Sequence, residues 1–132
     1  MIPSTAFRGI IPPMITPLKS DFSLDIGHTE RLIEHLIDGG VHGIFILGTT
    51  GEFAGLSSAV KRELIQITCQ QVKGRVPILV GVTDCSFTES IELAAIAHRS
   101  GAEAVMFGGY HPEASKIVSM MKKKRLTTTF IS

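Results

Sequence analysis

Two adjacent threonines between two glycines form the stretch of this sequence best suited to chemistry. The run Gly48-Thr49-Thr50-Gly51 follows an apolar stretch at 43–47 and precedes Glu52. The glycines let the backbone turn sharply and come close to a ligand, and the threonines offer two hydroxyl groups and two backbone N–H donors. Neighbouring N–H groups in such a turn can hold a small anion. The run therefore predicts a site for a small anion such as a carboxylate.

The same four residues could instead form an ordinary turn between a strand and a helix. In that interpretation the threonines only satisfy the local backbone, and the run taken alone would favour it. The position of the run favours the binding-site interpretation instead, because strand, turn and helix repeat along the sequence around it. Turns of this kind lie at the functional edge of repeated βα folds.

Alternating patterns along the chain predict a parallel sheet with outer helices. An apolar run at 8–17, interrupted by Pro12 and Pro13, indicates a first strand that is short or bent. Further strands are predicted at 43–47, 76–82 and 104–107, and helices at 25–38, 57–73 and 88–99. The phrase at 40–46 recurs in character at 101–107, a period of 61 residues, or two βα units.

Four strands and three helices in residues 1–107 fit two architectures. One is half of an eightfold βα barrel, and the other is most of a small open doubly wound sheet. The pattern of elements does not choose between them. A dinucleotide-binding sheet would need G-x-G-x-x-G after its first strand, and that string does not occur.

Composition indicates a soluble globular chain. Of its 132 residues, 44% are hydrophobic and 19% charged, and its apolar runs are far shorter than the roughly 20 residues needed to cross a bilayer. No secretory signal is recognisable, so the expected location is the cytoplasm, without a membrane partner. Cys69 and Cys85 are expected as small buried or semi-buried side chains rather than a disulfide. Neither they nor the 5 histidines have metal-ligand spacing, so no metal is expected.

Three segments together resemble one enzyme family. They are Gly9–Pro17, which ends in Ile-Thr-Pro, Gly48–Glu52, and Val76–Val82 with the sequence VPILVGV. Over residues 7–107 the chain resembles the dihydrodipicolinate synthase and N-acetylneuraminate lyase family. The resemblance implies a TIM (β/α)8 barrel, of which this chain would hold the N-terminal half, with about four parallel strands and three helices.

The resemblance also implies a chemistry. In this family a lysine forms a Schiff base with pyruvate or another 2-oxo acid, and the enamine joins or leaves an aldehyde, without a cofactor or metal. By position, Thr50 would bind the pyruvate carboxylate through its hydroxyl and N–H, and Thr49 would relay protons. Gly48 and Gly51 would keep the loop open. The neutral threonines suit a site beside a lysine that must be uncharged to attack.

The substrate other than pyruvate stays open. Aspartate semialdehyde, N-acetylmannosamine and sugar-acid fragments are all used by relatives with this loop, and a lyase similar to 4-hydroxy-tetrahydrodipicolinate synthase is favoured. Thr83 and Asp84, at the end of the third predicted strand, are expected to shape the pocket for this second substrate. Glu52 is interpreted as a hydrogen-bonding or helix-start residue, because a carboxylate would repel an anionic substrate.

After Phe107 the chain departs from the family. Relatives continue into Pro-Tyr-Tyr and carry the Schiff-base lysine at the end of the sixth strand, whereas this chain has only Tyr110, out of register, and no residue matching that lysine. Residues 1–112 hold 8 basic and 11 acidic residues, and 113–132 hold 5 and 1. We therefore divide the chain into a partial barrel at 1–112 and an irregular basic tail at 113–132. Our hypothesis is that the tail is not native barrel sequence but the product of a frameshift or truncation, which would leave this chain inactive.

Two other functions remain open. The chain could be a non-catalytic half-barrel that binds a 2-oxo acid and completes itself by pairing two chains, since repeated βα units can in principle assemble as halves. Full-length relatives are commonly homotetramers, and the assembly of this chain stays open. Alternatively, the basic tail could bind anionic partners such as lipid or nucleic acid, although neither a membrane nor a nucleic acid is the expected partner.

Overall fold

The computed structural model describes residues 7–108, 114–123 and 128–131. Helices and strands alternate along them in the order α1 (Ile26–Asp38), β1 (Ile44–Ile46), a 3-10 helix (Phe53–Gly55), α2 (Ser58–Val72), β2 (Ile78–Gly81), α3 (Phe87–Ser100), β3 (Ala104–Gly108), α4 (Ala114–Lys123) and β4 (Thr128–Ile131). The strands form one parallel sheet in the order β1-β2-β3-β4. Helices α2, α3 and α4 each connect one strand to its neighbour in the sheet, and the alternating pattern predicted the first two of these connections.

The expected first strand is an extended segment with a single bridge rather than a regular strand. Pro13 pairs in parallel with Phe45 of β1. The amide of Met14 donates to the Phe45 carbonyl at 2.8 Å, and the Phe45 amide donates to the Pro12 carbonyl at 3.1 Å. Pro12 and Pro13 have no N–H group, so a longer ladder cannot form. The segment nevertheless lies beside β1 and forms the edge of the sheet.

The sheet has an apolar layer on each face. The larger layer packs strand residues against α1, α2 and α3, and it includes Ile44, Ile46, Ile78, Val80, Val105, Phe107, Ile33, Leu64, Ile65 and Leu93. On the other face Leu79, Ala104 and Met106 are buried beneath Phe7, Ile11 and Phe45. Successive strand residues point to opposite faces, so both faces are apolar. This explains the nearly unbroken apolar run at 76–82.

Side-chain caps define where the three main helices begin. Asp25, Ser57 and Ser86 each accept a hydrogen bond from the backbone N–H three residues later. These oxygens satisfy amides that have no partner within the helix. At the other end, α3 stops at Gly101, whose φ of 99° is readily adopted by glycine. The predicted helices are confirmed to within two residues.

The prediction of an irregular tail needs correction. Residues 114–123 form α4, and residues 128–131 form β4, which pairs in parallel with β3. The sequence contains the reason, since Ile117, Val118 and Met121 have helical spacing and 127–131 is rich in β-branched and aromatic residues. The prediction that the tail is not native barrel sequence is a separate matter and stays a prediction.

The two cysteines are free thiols in different environments. Cys69 is buried and Cys85 is exposed, so the expectation of a buried or semi-buried side chain is right for Cys69 and wrong for Cys85. Burial, together with the nearby Glu103 carboxylate, raises the pKa of the Cys69 thiol to about 11. In the part of the chain that is described, no helix is long and apolar enough to cross a membrane.

Candidate functional site

Residues 48–52, which we call the threonine loop, connect the carboxyl end of β1 to the 3-10 helix before α2. Leu47 enters the loop with a φ of 58°, in the left-handed region that non-glycine residues rarely adopt. Its side chain is only 1% exposed and packs in the main core. Within the loop, the Glu52 amide donates to the Thr49 carbonyl at 3.0 Å and the Phe53 amide to the Gly48 carbonyl at 3.4 Å. Core packing thus holds an unfavourable backbone conformation at the loop entrance.

The two glycines lie where side chains would collide with their surroundings. A Cβ atom at Gly48 would lie 2.6 Å from the Phe45 ring. At Gly51 the carbonyl accepts a hydrogen bond of 2.8 Å from the buried hydroxyl of Thr16. The sequence marked Thr16 only as part of the Ile-Thr-Pro motif. The structure gives this residue a role, because its hydroxyl braces the loop from the edge segment.

The two threonines themselves face solvent. Thr49 and Thr50 are exposed, whereas Gly48 and Gly51 are buried. Within residues 7–108, 114–123 and 128–131, neither threonine donates a hydrogen bond from its amide or hydroxyl to another protein group. A rigid, braced loop therefore presents two hydroxyls and two N–H groups at the carboxyl edge of the sheet. Such an arrangement can hold a small carboxylate.

Glu52 begins the short 3-10 helix, as one of its two predicted roles required. Its φ of 58° is left-handed, and its side chain makes no capping hydrogen bond. The Glu52 side chain therefore does not act as a hydrogen-bonding cap of the 3-10 helix, which was its other predicted role. Phe53, the next residue, packs against the main core.

Thr83 and Asp84 follow β2, whose end lies directly beside the threonine loop. A Cβ atom at Gly81 would lie 3.4 Å from the Gly48 amide nitrogen. Both residues are half-buried. One oxygen of Asp84 accepts the Ser86 amide at 2.8 Å, and the other accepts the ammonium of Lys61 at 2.9 Å. Both carboxylate oxygens of Asp84 therefore have partners inside the protein, and its role in a second-substrate pocket stays a prediction.

The electrostatics of Asp84 follow from these contacts. Partial burial by itself would raise its pKa, but the Ser86 amide and the Lys61 ammonium together hold the pKa of Asp84 below its ordinary value of 3.8. Asp84 is therefore a carboxylate near neutral pH. Its negative charge is balanced by a buried positive one.

Sequence reasoning missed Lys61. This lysine side chain is only 6% exposed, and its ammonium lies 6.0 Å from the centre of the Phe53 ring. A signal was present, since Lys61 shares the inward stripe of α2 with Leu64, Thr68 and Val72, at spacings of three and four. A charged residue on an inward stripe indicates a buried partner.

Two further predictions concern metals and tyrosine. Among the described residues, no group of three or more His, Cys, Asp or Glu side chains could hold a metal ion. Tyr110, which the sequence left without an assigned role, lies outside the described residues.

Comparison with known proteins identifies the family. The Dihydrodipicolinate synthetase family matches residues 6–108. The 4-hydroxy-tetrahydrodipicolinate synthase 2 of Streptomyces coelicolor is 38% identical over 104 residues, which are 79% of this chain and 35% of that protein. The chain thus spans about a third of the length of the curated relatives it matches.

Solved structures extend the likeness to the fold. YagE of Escherichia coli K12, a prophage protein of the dihydrodipicolinic acid synthase family solved in complex with pyruvate, aligns with a TM-score of 0.84 and 31% identity over 94% of this chain and 44% of its own. N-acetylneuraminate lyase of Mycoplasma synoviae aligns with a TM-score of 0.86 and 25% identity over 96% of this chain and 46% of its own.

These structures also decide between the two architectures that the sequence left open. The relatives are TIM-barrel proteins, and this chain covers less than half of each. The parallel sheet with outer helices is therefore the N-terminal half of such a barrel, and the chain belongs to the dihydrodipicolinate synthetase family.

Proposed function

We propose that this chain carries the 2-oxo-acid-binding part of a Schiff-base lyase or aldolase. The observation that carries the proposal is the threonine loop, where Thr49 and Thr50 present exposed donors on a backbone braced by Thr16. The pyruvate complex of YagE, a structural relative, supports pyruvate as the ligand. In a complete barrel of this kind, the activity would join pyruvate to an aldehyde or cleave such a product, as in 4-hydroxy-tetrahydrodipicolinate synthase.

The proposed roles divide between the two threonines. Thr50 would bind the pyruvate carboxylate through its hydroxyl and N–H, and Thr49 would relay protons during the reaction. Gly48 and Gly51 keep side chains away from the loop backbone, where the ligand would approach. Neutral donors hold an anion without favouring the charged form of a nearby lysine. The loop is therefore suited to a site in which a neutral amine must attack a carbonyl.

The chain by itself is proposed to be inactive. A Schiff base forms from an uncharged lysine, which usually requires removal from water or a nearby positive charge. Lys61 is buried, and its side-chain nitrogen already pairs with the Asp84 carboxylate at 2.9 Å. The other lysines of the described part, Lys19, Lys73, Lys116, Lys122 and Lys123, are all exposed. Lys124 lies outside it.

Trapping with borohydride tests the inactivity. Incubation of the chain with pyruvate and borohydride, followed by mass spectrometry, should show no stable pyruvyl adduct, because borohydride fixes only a Schiff base that has formed. A stoichiometric adduct on one lysine would contradict this part of the proposal.

Binding is tested separately by NMR. Titration of the 15N-labelled chain with pyruvate should move the amide resonances of Thr49, Thr50 and Gly51 in a saturable way. Substitution of Thr50 by alanine removes one hydroxyl donor and should weaken binding by about fivefold or more. Thr50→Ser, which keeps the hydroxyl, should restore most of the affinity.

The matched control is Thr88→Ala. Thr88 is also an exposed threonine, but it lies in the first turn of α3 rather than in the threonine loop. Its substitution should leave pyruvate affinity unchanged. Equal losses in Thr50→Ala and Thr88→Ala, or no saturable shift in the unmodified chain, would overturn the binding proposal.

A further inference from the structure

A buried ion pair joins the two connections that follow β1 and β2. Lys61 lies in the first turns of α2, and Asp84 lies in the turn between β2 and α3. Their charged atoms are 2.9 Å apart, and the side chains are 6% and 20% exposed. Both residues lie at the carboxyl edge of the sheet, where the threonine loop also lies. The pair therefore links two neighbouring parts of the candidate site.

The contacts of Lys61 reach the threonine loop through Phe53. The ammonium lies 6.0 Å from the centre of the Phe53 ring, at the outer limit of a cation–π contact. Phe53 directly follows Glu52, and its amide donates to the Gly48 carbonyl. Lys61 thus contacts the residue that closes the loop on one side and Asp84 on the other. Asp84 is fixed in turn by the Ser86 amide at 2.8 Å.

We infer that Lys61 is a positioning residue, whose buried ammonium holds the end of the threonine loop against the turn after β2 and so fixes where Thr49 and Thr50 meet a ligand. The identity of the ligand in this inference, a 2-oxo acid, rests on the proposed function. The link that Lys61 makes between the threonine loop and the turn after β2 does not depend on it. Lys61 itself does not touch the ligand. It acts through Phe53 and Asp84.

A neighbouring ion pair supplies an internal comparison. Arg62 also joins α2 to α3, with its guanidinium 3.0 Å from Glu89 and 3.3 Å from Glu92. It does so on the outer side of the helices, where the arginine side chain is about one-third exposed. Arg62 therefore resembles Lys61 in charge and connectivity but has no contact with the threonine loop among the described residues.

The test compares Lys61→Met with Arg62→Met in the full 132-residue chain. Methionine keeps the length and apolar stem of lysine and removes the charge. In Lys61→Met we expect the amide resonances of Thr49 and Thr50 to move without pyruvate present, and the dissociation constant for pyruvate to rise at least about threefold. Arg62→Met should leave both unchanged. Lys61→Arg, which keeps the positive charge, should restore the resonances in part.

These readouts separate positioning from general stability. A purely structural role for Lys61 would lower the melting temperature but leave the Thr49 and Thr50 resonances and the pyruvate affinity of the folded variant at their original values. That result would overturn the inference. If Lys61→Met does not fold, the double variant Lys61→Met/Asp84→Asn, which removes both charges, is measured in its place with the same expectations.

Failure of the proposed function has a different signature. If the unmodified chain does not bind pyruvate, the binding proposal fails, and the resonances of Thr49 and Thr50 alone decide the role of Lys61. Movement of those resonances in Lys61→Met, but not in Arg62→Met, would still support it. Unchanged resonances would reject it.

Discussion

At the scale of single residues, the close approach of two backbones decides what the site can tolerate. A Cβ atom at Gly81 would lie 2.1 Å from the carbonyl oxygen of Leu47. That carbonyl is directed towards β2 by the left-handed conformation of Leu47, which the core holds in place. The absence of a side chain at residue 81 is therefore a condition for the entrance of the threonine loop.

Gly81→Ala should destabilise the chain because the obstacle is backbone rather than a movable side chain. We expect a loss of about 2–4 kcal/mol in the free energy of unfolding, measured by urea denaturation. The matched control is Gly55→Ala, since a Cβ atom there would meet nothing within 4 Å. It should change stability by less than about 0.5 kcal/mol. Similar losses in both variants would show that the contact at Leu47 is not the cause.

At the scale of elements, helix caps can be predicted from the local sequence more readily than the pairing of distant strands. The helices were predictable because Asp25, Ser57 and Ser86 stand just before their apolar stripes and accept the expected amides. The segment beside β1 was predicted as a strand that is short or bent by its two prolines, and in the structure it keeps a single bridge. Its form depends on which N–H groups reach a partner, and an apolar pattern does not contain that information.

The cap of α2 gives a direct test at this scale. The Ser57 hydroxyl accepts the Val60 amide at 3.2 Å, so Ser57→Ala leaves that amide without its partner. We expect a loss of about 1 kcal/mol in the free energy of unfolding. The control is Ser58→Ala, because Ser58 is the exposed first residue of the helix rather than its cap. A loss of the same size in Ser58→Ala would argue against capping.

The ion pair of Lys61 and Asp84, which links α2 to the turn after β2, should make the stability of the chain depend on pH in the acid range. The pKa of Asp84 is lowered in the folded chain, so its contribution is complete above the ordinary value of 3.8 and is lost as the pH falls through the lower folded value. Protonation would also leave the buried Lys61 ammonium without its counter-charge. The difference in melting temperature between the unmodified chain and Asp84→Asn should therefore stay constant above about pH 5 and shrink as the pH falls below 3.8.

A carboxylate in solvent serves as the control for this pH series. The pKa of Asp21 is also lowered, mainly by hydrogen bonds from Ser23, but Asp21 is exposed and its interactions are screened by water. Asp21→Asn should show a smaller change over the same range. A difference between the unmodified chain and Asp84→Asn that stays constant with pH would contradict the assigned role of the pair.

At the scale of the whole molecule, half of a barrel leaves an open edge. Ile10 is 68% exposed and Ile15 56% exposed, and both lie in the segment beside β1. On its inner side this segment uses its backbone groups to pair with β1. An exposed apolar strand edge promotes pairing with another chain. This favours one of the two alternative functions that the sequence left open, a half-barrel that self-associates.

We therefore expect the chain to self-associate. Light scattering should give a mass above the 14.2 kDa of one chain, and this mass should rise with protein concentration. The double variant Ile10→Lys/Ile15→Lys should shift the mass towards that of one chain, because charges at a strand edge oppose pairing. The control is Phe22→Lys, since Phe22 is 78% exposed but lies in a turn away from the edge. A constant mass of one chain in the unmodified protein would refute the expectation.

Whether the sequence predicts a feature of this structure depends on whether the feature arises from neighbouring residues or from residues far apart in the chain. The alternation of strands and helices and the threonine loop were predictable because periodicity, caps and the Gly-Thr-Thr-Gly run are local features, whereas the half-barrel was expected only from the resemblance to the family. The left-handed Leu47 and the pairing of Lys61 with Asp84 were not predictable, because they arise from contacts between residues distant in the chain. Only the burial of Lys61 had a local signal, its place on the inward stripe of α2. The helix and strand of the tail were missed for another reason: its abrupt change in charge was weighted above a helical spacing that was present.

The hydrogen bond from Thr16 to Gly51 also bears on how the chain folds. It joins residues 35 positions apart, so it can form only after the edge segment has docked beside β1, and loop closure of this length carries an entropic cost. The threonine loop should therefore acquire its shape late, as a product of tertiary assembly rather than of its own sequence. A synthetic peptide covering residues 43–57 would contain every group proposed to bind pyruvate, but it would lack the edge segment whose Thr16 hydroxyl braces the loop.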